Sequence, residues 1–190
     1  MGTLIDELSA EHANMALILN ILEGELDWLD SGQAADTALI RDIADYFLDY
    51  PDACHHPKED AVYRCLVASR PVSMGPVIDI ESEHKTLAKI ARSFAGSARA
   101  VDPTDPSARS SFVEAGHRFI DAQRQHIGRE ERELFPMALD ALSESDWESI
   151  SARVTSKTDP VFKNLPEARF EALREKITTG DLEVTASIPA

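Results

Sequence analysis

The sequence predicts an all-α protein, an up-down-up-down four-helix bundle with short extra helices at its C-terminal end. Three observations carry this. Apolar residues recur at i, i+3 and i+4 through four long stretches. Strand signals are weak, with few β-branched runs, no Asn-Gly turn and eight glycines in 190 residues. The stretches are joined by short loops, which favour antiparallel neighbours.

The first helix spans about Thr3 to Asp30, with Leu4, Leu8, His12, Met15, Leu19, Leu22 and Leu26 on one stripe, and Ser31-Gly32-Gln33 ends it. The second begins near Asp36 and buries Ile40, Ile43, Phe47 and Tyr50. Pro51 and Pro57 each remove a backbone donor and crowd the preceding turn, so a kink or break is expected at 50–57. The helix resumes through Glu59, Val62, Tyr63, Leu66 and Val67, and Arg70 to Pro76 reads as a loop. The third helix runs from about Val77 to Gly96 on Ile80, His84, Leu87, Ala91 and Phe94, followed by a loop from Ser97 to Ser110. Ser111 to Glu114 reads as a capping box for the fourth helix. Its inward line is Phe112, Phe119, Gln123, His126, Glu130 and Leu134, with a kink or early end at Pro136. Short helices are expected at 146–155, capped by Ser145, and at 166–178 through Phe170, Leu173 and Ile177, before a loose tail at 180–190. The bundle is assigned to residues 1–142 and a C-terminal helical extension to 143–190. That extension either caps the bundle or makes a homodimer contact.

A net charge of −15 and a pI near 4.7 repel nucleic acid and anionic membrane. The start of the chain lacks a basic segment and reads as no signal peptide. No apolar run approaches the roughly 20 residues of a membrane span. The two cysteines, Cys54 and Cys65, form no C-x-x-C pair and read as buried inert thiols in a reducing cytoplasm.

Two short motifs match. His55-His56-Pro57-Lys58-Glu59 and His126-Ile127-Gly128-Arg129-Glu130 each place a glutamate four residues after a histidine. On a helix that spacing puts both side chains on one face, about 5–6 Å apart at Cβ. His12 and His84 fall on the inward stripes of the other two helices. A lone histidine on an apolar face is more often structural than a ligand, but burying several imidazoles without partners is costly. A shared cation would satisfy them together with two carboxylates. The expected ligands are His12, His55, His84 and His126, with Glu59 and Glu130 as bridging carboxylates between two metal ions. This nitrogen–oxygen set suits iron, manganese or zinc. His55 is preferred over His56, which is expected exposed or behind the ligands. His117, about 900° of helix from His126, points away. Asp60, Glu131 and Glu133 read as solvated flanks. Tyr46, Tyr50 and Tyr63 read as core, with one phenolate ligand or donor conceivable.

In order and spacing, His12, His55-His56-Pro57-Lys58-Glu59, His84 and His126-Ile127-Gly128-Arg129-Glu130 resemble the hemerythrin-like, or HHE cation-binding, domain. The resemblance covers roughly residues 1–142, including Asp45 to Pro51 and Glu130 to Pro136. It implies a four-helix bundle around two non-haem iron ions bridged by both carboxylates and an oxo or hydroxo group. By position, His12 and His55 would serve one iron, and His84 and His126 the other. Oxygen-carrying members have a further histidine where this chain has Ala88, and an aspartate five residues after the last histidine rather than Glu130 after four. Those departures argue against oxygen carriage. They imply a spare coordination position on the iron of His84 and His126, open to oxygen, peroxide or nitric oxide. An iron-responsive module without catalysis is the alternative. A zinc or manganese hydrolase ranks last, because no spare inward carboxylate serves as general base.

Overall fold

The computed structural model describes residues 3–69, 79–154, 159–162 and 167–179. Helix α1 spans Thr3–Asp30. Gly32 ends it with φ of 75°, where the missing Cβ removes the steric cost. The amides of Ser31, Gly32 and Gln33 fold back onto the carbonyls of Asp27, Leu29 and Trp28.

Helix α2, Thr37–Tyr50, is capped by Asp36, whose carboxylate accepts from the amides of Ala38 and Leu39. The irregularity expected at 50–57 is a single wide π-helical turn, Pro51–His55, and the chain continues directly into α3, His56–Ser69. The His56 amide bonds back to the Pro51 carbonyl, five residues earlier. That widening relieves the clash Pro57 would cause in a tight ladder, so the helix bulges instead of breaking.

Helix α4 spans Ile80–Ala100 behind an Asp79 cap, and α5 spans Pro106–Arg129 behind an Asp105 cap. Both outlast the sequence expectation. Gly96 does not stop α4, because Ala95 and Ala98 are buried on either side of it. Helix α5 starts before Ser111 because Asp105-Pro106 supplies an N-cap and a proline at the first helical position. A second π turn, Glu130–Leu134, leads into α6, Phe135–Ala141, with the Phe135 amide on the Glu130 carbonyl. Pro136 follows this turn as Pro57 follows the first.

Helix α7, Glu144–Ser151, is capped by Ser143 in a reciprocal box with Asp146, two residues before the expected cap. A 3-10 turn, Ala168–Phe170, precedes α8, Glu171–Thr179. The expected loop at Arg70 to Pro76 and the tail at 180–190 lie outside the described residues, as do the first residues of the expected third helix.

Every described regular element is helical. Helix α1 packs on α5 and α2, and α4 packs on α2 and α5, which closes a helical bundle. Helix α7 lies against α3, and α8 against α2. No described helix is long and apolar enough to cross a membrane.

The core is two apolar layers with a polar layer between them. One layer gathers Met15 to Leu29 of α1, most of α2, and Phe112, Phe119 and Ile120 of α5, closed by Val161, Phe170 and Leu173. The other gathers Leu4, Ile5 and Leu8 with Val62, Leu66, Ile80, Leu134, Phe135 and Ile150. Glu11 and His12 lie between the two sets on α1, His55 to Glu59 between them on the π turn and α3, and His126 and Glu130 between them on α5 and the second π turn. The buried polar residues therefore collect at one level of the bundle.

Candidate metal centre

His12, His55, Glu59, His84, His126 and Glu130 meet in that layer, all of them buried. Glu59 sits at the middle. Its Oε1 is 3.2 Å from His12 Nε2 and 3.0 Å from His55 Nε2, while its Oε2 is 3.4 Å from His84 Nε2. Glu130 spans the same gap in reverse. Its Oε2 is 3.4 Å from His12 Nε2, and its Oε1 is 3.4 Å from His84 Nε2 and 3.2 Å from His126 Nε2. Each carboxylate thus presents one oxygen to either half of the layer.

His56 stands apart from its expectation. It is 6 % exposed, and its ring stacks on His84 with centroids 3.9 Å apart. Residues 55 and 56 differ by about 100° on the helix. Because α3 lies between two neighbouring helices, both directions lead inward. His55 reaches His12 of α1, and His56 reaches His84 of α4. Two groups of donor atoms close enough to hold a cation result: His12, His55 and Glu59, and His56, Glu59, His84 and His126. Glu59 belongs to both, and the oxygens of Glu130 lie 3.4 Å from His12 of one group and 3.4 and 3.2 Å from His84 and His126 of the other.

Behind the imidazoles stands a ring of carboxylates. The Nδ1–H of His12 donates to Glu131 at 2.8 Å, that of His55 to Glu11 at 2.7 Å, and that of His56 to Asp52 at 3.0 Å. His84 donates to Asp60 at 2.9 Å and His126 to Glu83 at 3.2 Å. A carboxylate can only accept, so each Nδ1 carries a proton and each Nε2 is left facing inward. Asp60 and Glu131, read from sequence as solvated flanks, are two of these partners. Glu11, Asp52 and Glu83 are the other three. A signal for four of the five was present: Glu11 precedes His12, Glu83 precedes His84, Asp60 follows Glu59, and Glu131 follows Glu130. One position along a helix turns a side chain from the centre toward the next helix, where it meets that helix's histidine.

The centre needs positive charge. Both oxygens of Glu59, Oε2 of Glu130 and Nε2 of His126 are buried without a hydrogen-bond partner. Unmet polar atoms at this depth cost about 1–3 kcal/mol each. Protons respond to the same field. Burial works against a charge on His12, but Glu130, Glu131 and Glu59 outweigh it and raise its pKa to about 11. His84, also buried, is raised to about 11 by Asp60, Glu130 and Glu59. Burial, together with the neighbouring His84 and His56, lowers His126 to about 3, against the pull of Glu59. Burial pushes Glu59 up, and His55, His12 and His84 more than reverse it, so its carboxyl stays ionised. The donor set fits divalent or trivalent cations that accept nitrogen and oxygen.

Other sequence candidates lie elsewhere. Cys54 and Cys65 form no disulfide, are half-buried rather than fully buried, and join neither donor group. The Tyr46 hydroxyl donates to Asp159 at 2.8 Å, and Tyr50 is buried beneath it. Tyr63 packs against the second apolar layer. His117 is half-exposed, 3.6 Å from Asp27 and away from the centre. A groove of about 250 Å³, bordered by His56, His84, Asp60, Lys85 and Ala88, reaches the centre from outside.

The family model described as "Hemerythrin HHE cation binding domain" matches residues 3–138, which takes in all seven buried histidines and glutamates of the centre. No curated protein and no solved structure matches the chain.

Proposed function

The chain belongs to the hemerythrin HHE cation-binding family, and from that premise we propose that it holds two iron ions and binds or senses a small ligand such as oxygen, peroxide or nitric oxide. The observation that carries this is the paired donor geometry around two shared carboxylates. Glu59 and Glu130 would bridge. His12 and His55 would hold one ion, and His56, His84 and His126 the other, with manganese or zinc as chemically compatible substitutes. Bound iron would supply a redox couple and a coordination position for the incoming ligand. The chain's own contribution is orientation. The outer carboxylates hold each imidazole with Nε2 inward, and the apolar layers above and below keep bulk water out.

The sequence expectation of a spare position beside His84 and His126 rests on Ala88 contributing no ligand. His56 offers a third imidazole on that side, so the donor count favours the spare position on the ion of His12 and His55. Iron-loaded protein should show charge-transfer bands that shift on adding azide, peroxide or nitric oxide. Bands that ignore all three would sink the ligand-binding reading.

A second reading shares the site: an iron-responsive module in which occupancy sets stability. The unmet buried atoms of Glu59, Glu130 and His126 favour it, because metal binding would then add directly to folding energy. A sharp fall in melting temperature on chelation, without any ligand-dependent spectrum, would select it.

We also infer that the four long segments run up-down-up-down. Support comes from the order in which they pass the two apolar layers, which alternates from α1 to α2–α3, α4 and α5–α6. In this reading residues 1–142 form the metal-binding bundle and 143–190 an extension against it. The acidic surface makes a small cytoplasmic ligand a better partner than nucleic acid or membrane.

A further inference from the structure

Lys58 is buried to 1 % exposure, although it is a lysine one position from Glu59 at the middle of a site that calls for cations. Its Nζ donates to Glu7 and to Glu11, both at 2.6 Å. Glu7 and Glu11 are four residues apart on one face of α1, where like charges repel each other. Lys58 reaches across from α3 and ties them together. The other oxygen of Glu11 accepts the Nδ1–H of His55 at 2.7 Å. The result is a continuous line from Lys58 through Glu11 to His55, ending at the Nε2 that faces His12.

The other outer carboxylates are held differently. Glu131 takes a hydroxyl from Ser9, Asp60 is 3.6 Å from the exposed Arg64, and Glu83 is paired with the partly exposed Arg129. Among the described residues, Glu11 is the one partner of a histidine fixed by a fully buried cation. A buried charge-assisted contact has a defined geometry that an exposed pair lacks. It also locks α1, which carries His12, to α3, which continues directly from the π turn that carries His55.

We propose that Lys58 is a positioning residue for the two-imidazole half of the centre, holding Glu11 so that His55 keeps its donor atom aimed at the metal. This rests on the two-metal reading above. Lys58 acts through Glu11 and touches no ligand position itself. Loss of such an outer partner lowers metal affinity by about 10–100-fold.

The test is anaerobic titration of the full chain with ferrous iron against a chromophoric chelator. Wild type and Lys58→Met are compared with the double variant Lys58→Met/Glu11→Gln. The double variant removes both members of the buried pair and so keeps folding intact if the single variant does not fold. His55→Ala marks which binding step belongs to the two-imidazole half. Lys58→Met, or the double variant in its place, should weaken that step about 10–100-fold and leave the other step within about threefold. The His55 Nδ1–H resonance of zinc-loaded protein should move upfield in the same variants as its hydrogen bond weakens. If wild type binds two irons and the double variant binds both equally well with an unmoved resonance, Lys58 is only a folding contact and the proposal is overturned. If wild type itself binds no pair of irons, the two-metal reading fails first and takes the proposal with it.

Discussion

His12 and His55 aim their Nε2 atoms at each other across 2.9 Å, from two different helices. Both rings spend their Nδ1 protons outward, on Glu131 and Glu11. Two lone pairs at this distance repel unless a proton or a metal ion lies between or beside them. That relationship calls for a proton or a cation at the centre, and several expectations depend on it.

Removing metal should destabilise the protein. A ligand present at about 1,000 times its dissociation constant stabilises the folded state by about 4 kcal/mol. Thermal melts of iron-loaded protein with and without excess chelator should differ accordingly. The difference should shrink toward pH 5 and below, because protons compete for the inward nitrogens and carboxylates.

His56→Ala should behave as the loss of a ligand. The iron on that side should bind more weakly and survive removal of unbound metal less completely, since three imidazoles become two there. His117→Ala, a half-exposed position away from the centre, should leave the iron content unchanged. Equal iron in wild type and His56→Ala would return His56 to a packing role.

The line between legible and hidden features runs through single residues. Helical periodicity located α1 to its ends and placed His12 and His84 inward, because burial and helix period are local properties of the chain. It also located the irregularity near Pro57, as a kink or break, where the chain forms a π turn. A proline shows where a tight ladder fails, while the surrounding packing decides whether the helix stops or widens. His56 is hidden from any reading that gives a helix one inward face, because α3 has two neighbours and two inward directions. Glu11, Asp52 and Glu83 were hidden for a related reason. Their partners lie on other helices, and no spacing within one helix reports them.

Glycines in the helices should separate by environment. A Cβ at Gly116 would come within 2.5 Å of Leu26 Cδ1, at the fully buried contact of α5 with α1. Gly24 and Gly96 have nothing within 4 Å of that position. Gly24→Ala and Gly96→Ala should each stabilise by about 0.5–1 kcal/mol through helix propensity. Gly116→Ala should lose that gain to overpacking of about 1–3 kcal/mol. Urea midpoints of the three variants would show the split.

The Tyr46–Asp159 bond fastens the segment at 159–162 to α2. Asp159 also accepts from the amides of Val161 and Phe162. Burial raises the Asp159 pKa above its ordinary 3.8, and its hydrogen bonds only partly oppose this. The folded state therefore holds this proton more tightly than the unfolded chain, and the group's contribution to stability falls as pH rises from about 3.8 through the folded value. Tyr46→Phe should cost about 1–3 kcal/mol at neutral pH, where the buried carboxylate loses a donor. The cost should shrink as pH falls and the carboxyl takes up its proton. A cost independent of pH from 4 to 7 would contradict this assignment.

The most direct measurement is iron content after anaerobic reconstitution with ferrous iron and removal of unbound metal. The paired centre predicts about two irons per chain in wild type, falling sharply in Glu59→Ala, which takes away the carboxylate shared by both halves. Wild-type protein that retains no iron after this treatment would contradict the metal centre, and with it the reading of every buried histidine in the bundle.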